Sequence, residues 1–526
     1  MDTTEADPAS GQTAGLFDDR DDAIEAALNV AEFNRSSVYN VAGYRPVRSE
    51  LSHAPITVTG QLPTDLEGVY LRNGTNVQFD PTHIRLHAFA GAGMLHQVQI
   101  RDGAATYSNA YIRTPRFEIE HHAGREVYPD FSDIAGGGTA AIDKTALVTE
   151  RVEKGLLPDL TTFELTPGST SIRHHHGKLY CLQETGYAFV LDTDVSDGRL
   201  TIDGTGRIET WQGEWEGPFS AHPRVQPITG DVYNLSIQPS GAIIAGLISR
   251  GQLVRQATVN DASTDRMGWL HDFFLTENYL IFPDISVRLH PERLMQPDGS
   301  VFRFDDTYTM RWGMLPRQFD ESTVVRWFET DRPATVWHVI NAWERRDEDG
   351  AAEIVLYSPA FPSYPADVPI HTPEEPPAQV WSWVLNLETN EISSQTLLID
   401  HGYERPSLNL DYVGKPSRYC YLLDEHGDGY MGKGVLKYDL FEEAGAGYLD
   451  YDEMYGGEAL FIPRPSSSAE DDGYLVDLLM DDHSAELIII DARTMTELAR
   501  LHLPQRVPFG VHACWLNPQE IEGLTS

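Results

Sequence analysis

The stretch HQVQIRDGAATYSNAY, residues 96–111, decides the fold class. Polar and apolar residues alternate through Gln97, Val98, Gln99 and Ile100, the chain turns at Arg101-Asp102-Gly103, and a second extended run follows. Alternation on both sides of an Asp-Gly pair is the pattern of an antiparallel hairpin with one face on a core. Working outward, APITVTG (54–60) and GVYLRNG (68–74) precede it. HHGKLYCLQETGYAFVLD (175–192), GDVYNLSI (230–237), YLIFPDISV (279–287), QVWSWVLNL (379–387), RYCYLLDE (418–425), GYLVDLLM (473–480) and AELIIIDART (485–494) follow. The runs continue to the C-terminus with no long linker or shift in composition, which favours one continuous all-β architecture over two domains. A single closed barrel does not use so many strands easily. Radial repetition of small antiparallel sheets buries them and protects their edges, so a propeller is expected. No WD- or kelch-type period is present, and the blade count is therefore not readable from repeats. Residues 121–170 and 286–325 alternate poorly and are expected to be excursions covering one face. Residues 1–45 are expected to form an acidic flexible tail and a short helix through 21–34 capped by Asp21-Asp22, with 46–526 as a single propeller domain.

Composition excludes several classes. The 526 residues are 41% apolar, with Gly 43, Pro 32, Trp 10, Tyr 23 and Phe 20, which describes a turn-rich folded protein rather than a disordered or coiled-coil one. Asp+Glu 80 against Lys+Arg 39 gives a net charge of -41, a field that repels phosphate backbones, so no nucleic-acid partner is expected. Cys181, Cys420 and Cys514 are odd in number and far apart, giving neither a disulfide framework nor a thiolate zinc site. The N-terminal segment has neither a basic n-region nor an apolar h-region, and no 18-residue apolar run occurs. A reducing, cytoplasmic compartment is expected.

The candidate site comes from the histidines. Of the 19, His222 in GPFSAHPR, His271 in GWLHDFF, His338 in TVWHVINAWE and His512 in VPFGVHACW sit among aromatic and aliphatic neighbours. Such flanks imply burial at strand ends, and a buried imidazole needs a partner on each nitrogen. A transition metal on one nitrogen and a carboxylate or carbonyl on the other is one solution; a hydrogen-bonded core histidine is the other. Histidine without cysteine suits iron, copper or zinc. Adjacent side chains in a strand point to opposite faces, so His174-His175-His176 cannot share one ion and are read as surface.

From Ile56 to Leu516 the chain resembles the carotenoid cleavage oxygenase family. The resemblance is carried by GVYLRNGTN (68–76), HAFAGAGMLH (87–96), AYIRT (110–114), FSAHP (219–223), LHDFFLTEN (270–278), WHVINAWE (337–344), ERPSLN (404–409), GGEALFIPR (456–464), EDDGYL (470–475) and PQRVPFGVHACW (504–515). It implies a seven-bladed β-propeller with a helical and loop dome over one axial non-haem Fe(II) per chain. It also implies O2-dependent cleavage of a conjugated carbon–carbon double bond to aldehyde or ketone products. Carried over residue by residue, the iron ligands are His222, His271, His338 and His512, the four that the burial argument selects. Glu184, Glu404 and Glu458 then stand behind three of them, fixing ring orientation and raising basicity. Thr170 corresponds to a small residue near the iron, and Tyr111 to a residue near substrate.

The family often carries Asp where this chain has Ala90 and Ala92, which puts a loop contact in doubt rather than the chemistry. The expected substrate is an apolar polyene, a carotenoid or apocarotenoid, taken with O2. Phenolic stilbenes or phenylpropenoids are the alternative, although the segment after Tyr111 has Arg113 and Arg116 and no lysine to pair with a phenol. A non-catalytic isoprenoid-binding propeller is a further alternative. Peripheral membrane contact through an apolar patch is expected, with Leu156-Leu157-Pro158 as the candidate segment.

Overall fold

The computed structural model describes residues 16–28, 42–79, 87–134, 139–238, 240–259, 268–295, 301–364, 376–398, 401–425 and 430–524. The hairpin of residues 96–111 forms as its sequence demands. Strands Ala92–Arg101 and Ala104–Tyr111 pair antiparallel with Arg101 opposite Ala104. Asp102 and Gly103 both take positive φ, 52 and 72, the pair of left-handed residues that a two-residue turn between twisted strands requires.

The described strands build seven four- or five-stranded antiparallel sheets arranged as blades, with two small two-stranded ribbons besides. The core is a ring of seven apolar wedges, each between neighbouring blades. One wedge joins Val476, Leu478, Leu487 and Ile489 of the last blade to Tyr70, Val98 and Tyr107 of the first. The alternate residues of the same two strands, Leu475, Ile488 and Ile490, face the other way onto Tyr421, Leu423 and Val435 of the preceding blade. A strand covered on both faces reads as a continuous apolar run, which is why GYLVDLLM and AELIIIDART lack polar alternation. Trp312 and Trp383 meet edge to face at 5.1 Å in the wedge between the fourth and fifth blades.

Closure joins the ends of the chain. Strand Thr57–Gly60 pairs with Thr496–His502 in the last blade, while strand His512–Leu516 pairs with residues 69–73 of Gly68–Asn76 in the first. Both seams are main-chain ladders, so the ring is held by hydrogen bonds as well as by burial.

The two excursions cover one face. After helix α1 (Asp19–Leu28), helices α2 (Pro115–Ala123), α3 (Phe131–Ile134) and α4 (Ala140–Glu153) occupy the first. Thr114 begins α2: its Oγ1 accepts from Phe117 N at 3.2 Å, Pro115 follows at the first helical position, and left-handed Gly124 ends the helix. The second excursion supplies the ribbon Val287–Leu289 with Phe302–Phe304. Phe131 and Phe302 stack across the two at 5.6 Å. Residues 311–316 of the second excursion are instead a regular blade strand.

The N-terminal expectations are partly corrected. Residues 1–15 and 29–41 lie outside the described residues. The helix runs Asp19–Leu28, and Asp18 rather than Asp21-Asp22 caps it. Asp18 Oδ1 accepts from Arg20 N while Asp21 Oδ2 accepts from Asp18 N, both at 2.9 Å, so Asp21 closes the cap from inside. Leu16 is buried against Val127, Tyr128 and Leu157, which anchors this segment on the dome. Of Leu156-Leu157-Pro158, Leu157 is therefore a packed residue, with Leu156 and Pro158 exposed. No described helix is long and apolar enough to cross a membrane.

Candidate metal centre

The edge strand nearest the axis in each blade brings one residue to it, from between three residues before the strand's start and its second position. Thr170 precedes Ser171–His175, His222 precedes Arg224–Val225, His271 precedes Phe274–Leu275, and His338 precedes Asn341–Arg346. Glu404 lies in Tyr403–Ser407, Glu458 precedes Leu460–Pro463, and His512 opens His512–Leu516. Glu184 follows the strand Lys178–Leu182. Seven blades thus contribute seven axial positions, four of them histidine.

The four imidazoles converge. Nε2 of His271 lies 3.1 Å from Nε2 of His222 and 3.1 Å from that of His338, which lies 3.3 Å from Nε2 of His512. One ligand atom from each lies within 4.8 Å of the others, and this is the only such group of His, Cys, Asp or Glu around a metal-sized space among the described residues. Behind them, His271 Nδ1 donates to Glu184 Oε1 at 2.5 Å, His338 Nδ1 to Glu404 Oε2 at 2.5 Å and His512 Nδ1 to Glu458 Oε2 at 3.3 Å. No carboxylate among the described residues pairs with His222. A proton on each Nδ1 leaves three bare Nε2 lone pairs facing one another, an arrangement that a cation relieves. Ligands at right angles with metal–nitrogen bonds of about 2.1 Å stand about 3 Å apart, close to the separations found. The donor set and its spacing fit a divalent transition metal.

Electrostatics act unequally on the donors, and burial keeps His222 and His512 neutral. Burial, reinforced by the neighbouring histidines, holds His222 well below the usual imidazole range. Burial also pushes His512 down to about 4, outweighing Glu458 at its longer 3.3 Å contact. At His271 burial acts in the same sense, but the 2.5 Å bond to ionised Glu184 outweighs it and the net shift is upward. Burial tends to raise the carboxyls of Glu184 and Glu404, yet their histidine partners carry both below the ordinary value. Glu458 falls to about 2 against the same opposition, through His512, Arg173 and the N–H of Ala513.

His271, His338 and His512 floor a cavity with about 1090 Å³ of unfilled space, mouth included. Its walls are aromatic: Phe89, Phe131, Trp269, Phe302, Trp337 and Phe361 line it. An apolar chamber with a few convergent polar groups is the usual form of a small-molecule site. Thr170 is part of the wall.

Tyr111 is not, and the expectation for it is corrected. Its ring packs on Phe117 and Met94, and its hydroxyl accepts from Asn76 Nδ2 at 2.7 Å, outside the cavity. Its burial serves the hydrophobic packing of Phe117 and Met94 under α2. Ala90 packs on Val77, and Ala92 opens a blade strand, so neither stands at the histidines. The tract His174-His175-His176 is not uniformly surface: His175 is 9% exposed, His174 is half-buried beside Glu520, and His176 is exposed. The aromatic walls went unassigned in the sequence, although Trp269 and Trp337 belong to the flanks that marked His271 and His338 as buried. Arg405 and Glu425, also on the wall, had no sequence signal beyond the neighbouring Glu404.

The comparisons agree with this geometry. Residues 44–517 match the model of the family described as retinal pigment epithelial membrane protein. The chain is 30% identical over 511 residues to carotenoid 9,10(9',10')-cleavage dioxygenase 1 of Arabidopsis thaliana, covering 93% of this chain and 91% of that one. It is 26% identical to the carotenoid cleavage oxygenase of Mycobacterium tuberculosis, over 89% of this chain and 95% of that one. The fold is shared with the lignostilbene dioxygenase of Pseudomonas brassicacearum, at TM-score 0.76 and 23% identity over 93% of this chain and 100% of the other. It is shared equally with the cobalt-substituted apocarotenoid oxygenase of Synechocystis, at TM-score 0.73 and 24% identity over 90% of this chain and 98% of the other. A family match spanning nearly the whole propeller, with four axial histidines in place, makes the chain a member of the retinal pigment epithelial membrane protein family, that of the carotenoid cleavage oxygenases.

Proposed function

We propose that the protein is a non-haem iron dioxygenase that cleaves one conjugated carbon–carbon double bond of a carotenoid or apocarotenoid with O2, giving two carbonyl products. The observation that carries this reading is the convergence of the four histidine Nε2 atoms, with three of the rings flooring an aromatic-walled cavity. His222, His271, His338 and His512 would hold one Fe(II), and Glu184, Glu404 and Glu458 would fix three of the rings. Bound Fe(II) supplies a redox-competent centre with room beside four neutral ligands for O2.

The chain's own residues do the rest. Three ionised carboxylates behind the imidazoles would balance a divalent charge while leaving the four Nε2 atoms as neutral donors. The walls at Trp269, Phe302, Trp337 and Phe361 hold a flat polyene by contact area and exclude water, and the lie of that chain selects the double bond over the histidines. Thr170, at the axial position of its blade, stands as a small steric neighbour. A phenolic stilbene is less well served: Tyr111 is outside the cavity, and no lysine lines it among the described residues. An apolar substrate is collected from a membrane or droplet, and exposed Ile142 and Leu156 on the dome suit peripheral contact.

The test is mass spectrometry of carbonyl products from Fe(II)-loaded protein in air, given a carotenoid, an apocarotenal and a hydroxystilbene side by side. Paired aldehydes from a polyene are expected, and their masses locate the cleaved bond. Products from the stilbene alone would replace the substrate assignment, and no product from any of the three with iron bound would leave a binding protein.

A further inference from the structure

Glu404 and Arg405 are consecutive residues of the strand Tyr403–Ser407, and consecutive side chains of a regular strand point to opposite faces. Both nevertheless line the cavity. The backbone explains how: Arg405 has φ 43, and the pairing with strand Tyr419–Asp424 shifts register between Glu404 and Ser407. A left-handed residue that carries a Cβ costs about 1–2 kcal/mol, and such strain persists where the surroundings enforce it, often at bulges beside functional sites.

The strain aims a guanidinium into an apolar chamber. The Arg405 side chain is 3% exposed, its Nε donates to Glu425 Oε1 at 2.7 Å, and Nη2 lies 2.5 Å from the same oxygen. The guanidinium carbon stands 5.5 Å from the Phe509 ring centroid. Nη1 has no hydrogen-bond acceptor among the described residues. A buried donor on a charged group is costly to leave unmade, so this one is a vacancy for an acceptor. The other carboxylates of the wall, Glu184 and Glu404, are already engaged by His271 and His338.

We propose that Arg405, held by Glu425, is a specificity-determining residue that binds a neutral oxygen, hydroxyl or carbonyl, at one end of the substrate; that the rest of the substrate is a polyene rests on the dioxygenase reading. The acceptor is neutral because Glu425 already cancels the arginine charge, and a carboxylate would bring an uncompensated charge into a low-dielectric site. Arg405 follows the residue that orients His338, so the oxygen anchor and the histidine cluster are fixed by adjacent positions of one strand. Anchoring one end sets how far the polyene reaches past the histidines, and hence which bond lies over them.

Binding tests this without turnover. Trp269 and Trp337 line the cavity, so quenching of tryptophan fluorescence in metal-free protein reads occupancy. The probes are an apocarotenol, the matching apocarotenal and the hydrocarbon of the same polyene length. The wild type is expected to bind both oxygenated probes about tenfold or more tighter than the hydrocarbon, the effect of one hydrogen bond to a charged group. Arg405→Met is expected to abolish that preference. Should it not fold, Arg405→Gln, which keeps a donor for Glu425 on a shorter arm, is read the same way. Equal binding of the three probes by the wild type, or an undiminished preference in the variants, overturns the proposal. If the preference is present and the Fe(II)-loaded protein releases no aldehyde, the anchor stands and the dioxygenase reading falls.

Discussion

Nδ1 of His338 and Oε2 of Glu404 stand 2.5 Å apart, and the same carboxylate oxygen accepts the backbone N–H of Arg405 at 2.5 Å. One buried oxygen thus ties a ring of the histidine cluster to the bulged strand of the next blade. Replacing Glu404 with Gln keeps an oxygen acceptor but removes the charge that supports the imidazole. Metal affinity is expected to fall about 10–100-fold, the usual effect of losing the group behind a ligand histidine, measured by competition with a chelator. Unchanged affinity would remove Glu404 from the centre.

Metal binding should also stabilise the folded chain, because the four histidines are brought together only by ring closure. At a free Fe(II) concentration of about 100 times Kd, the expected gain is about 2.7 kcal/mol, read anaerobically as a rise in Tm. His271→Ala should lose most of that rise together with aldehyde release. Full cleavage by His271→Ala would dismiss the cluster as the reaction centre.

His175 gives a pH dependence away from the histidine cluster. Burial, with help from His176 and His174, holds it down to about 3 from an ordinary value of 6.5. Between those values the unfolded chain takes up a proton that the folded chain refuses, so stability contributed above pH 6.5 is lost progressively as pH falls toward 3. Denaturant unfolding at pH 7.5 and pH 5 should show a smaller acid loss for His175→Gln than for the wild type. Equal losses would mean that His175 is protonated in both states.

Packing in the fourth blade is equally open to test. Gly313 is paired with Phe282, and a Cβ at Gly313 would lie 2.4 Å from Cζ of the Phe282 ring. The ring fills the space a side chain would take, and it also meets Trp327 edge to face at 5.5 Å. Gly313→Ala is expected to cost about 1–3 kcal/mol through displacement of Phe282, measured as a fall in denaturant midpoint. Wild-type stability would show that the ring moves freely.

The histidines were legible because burial leaves a local trace: His271 lies between Leu270 and Asp272-Phe273-Phe274, and His338 follows Trp337. Strand identity was equally local, as in the Asp102-Gly103 turn. The glutamates were not, since nothing near Glu184 in sequence points to His271, and only the family resemblance singled them out. Blade number depends on closure between Thr57–Gly60 and Thr496–His502, which is a relation between distant segments. Tyr111 was misplaced because its position was carried over from the family motif, and a motif match does not say whether the residue faces the cavity or packs under a helix. Arg405 escaped notice because alternation assigns it to the face opposite Glu404, and only a left-handed backbone reverses that.

Strand His512–Leu516 enters the first blade from the far end of the chain, and it brings the last of the four axial histidines with it. During synthesis the N-terminal blades emerge first, while this strand follows all of them. A nascent chain therefore carries three of the four histidines and an unclosed ring with an open edge in its first blade until residue 516 is released. The four-histidine cluster is in consequence completed only after every blade has emerged, and the interval before that is when the chain depends most on chaperones.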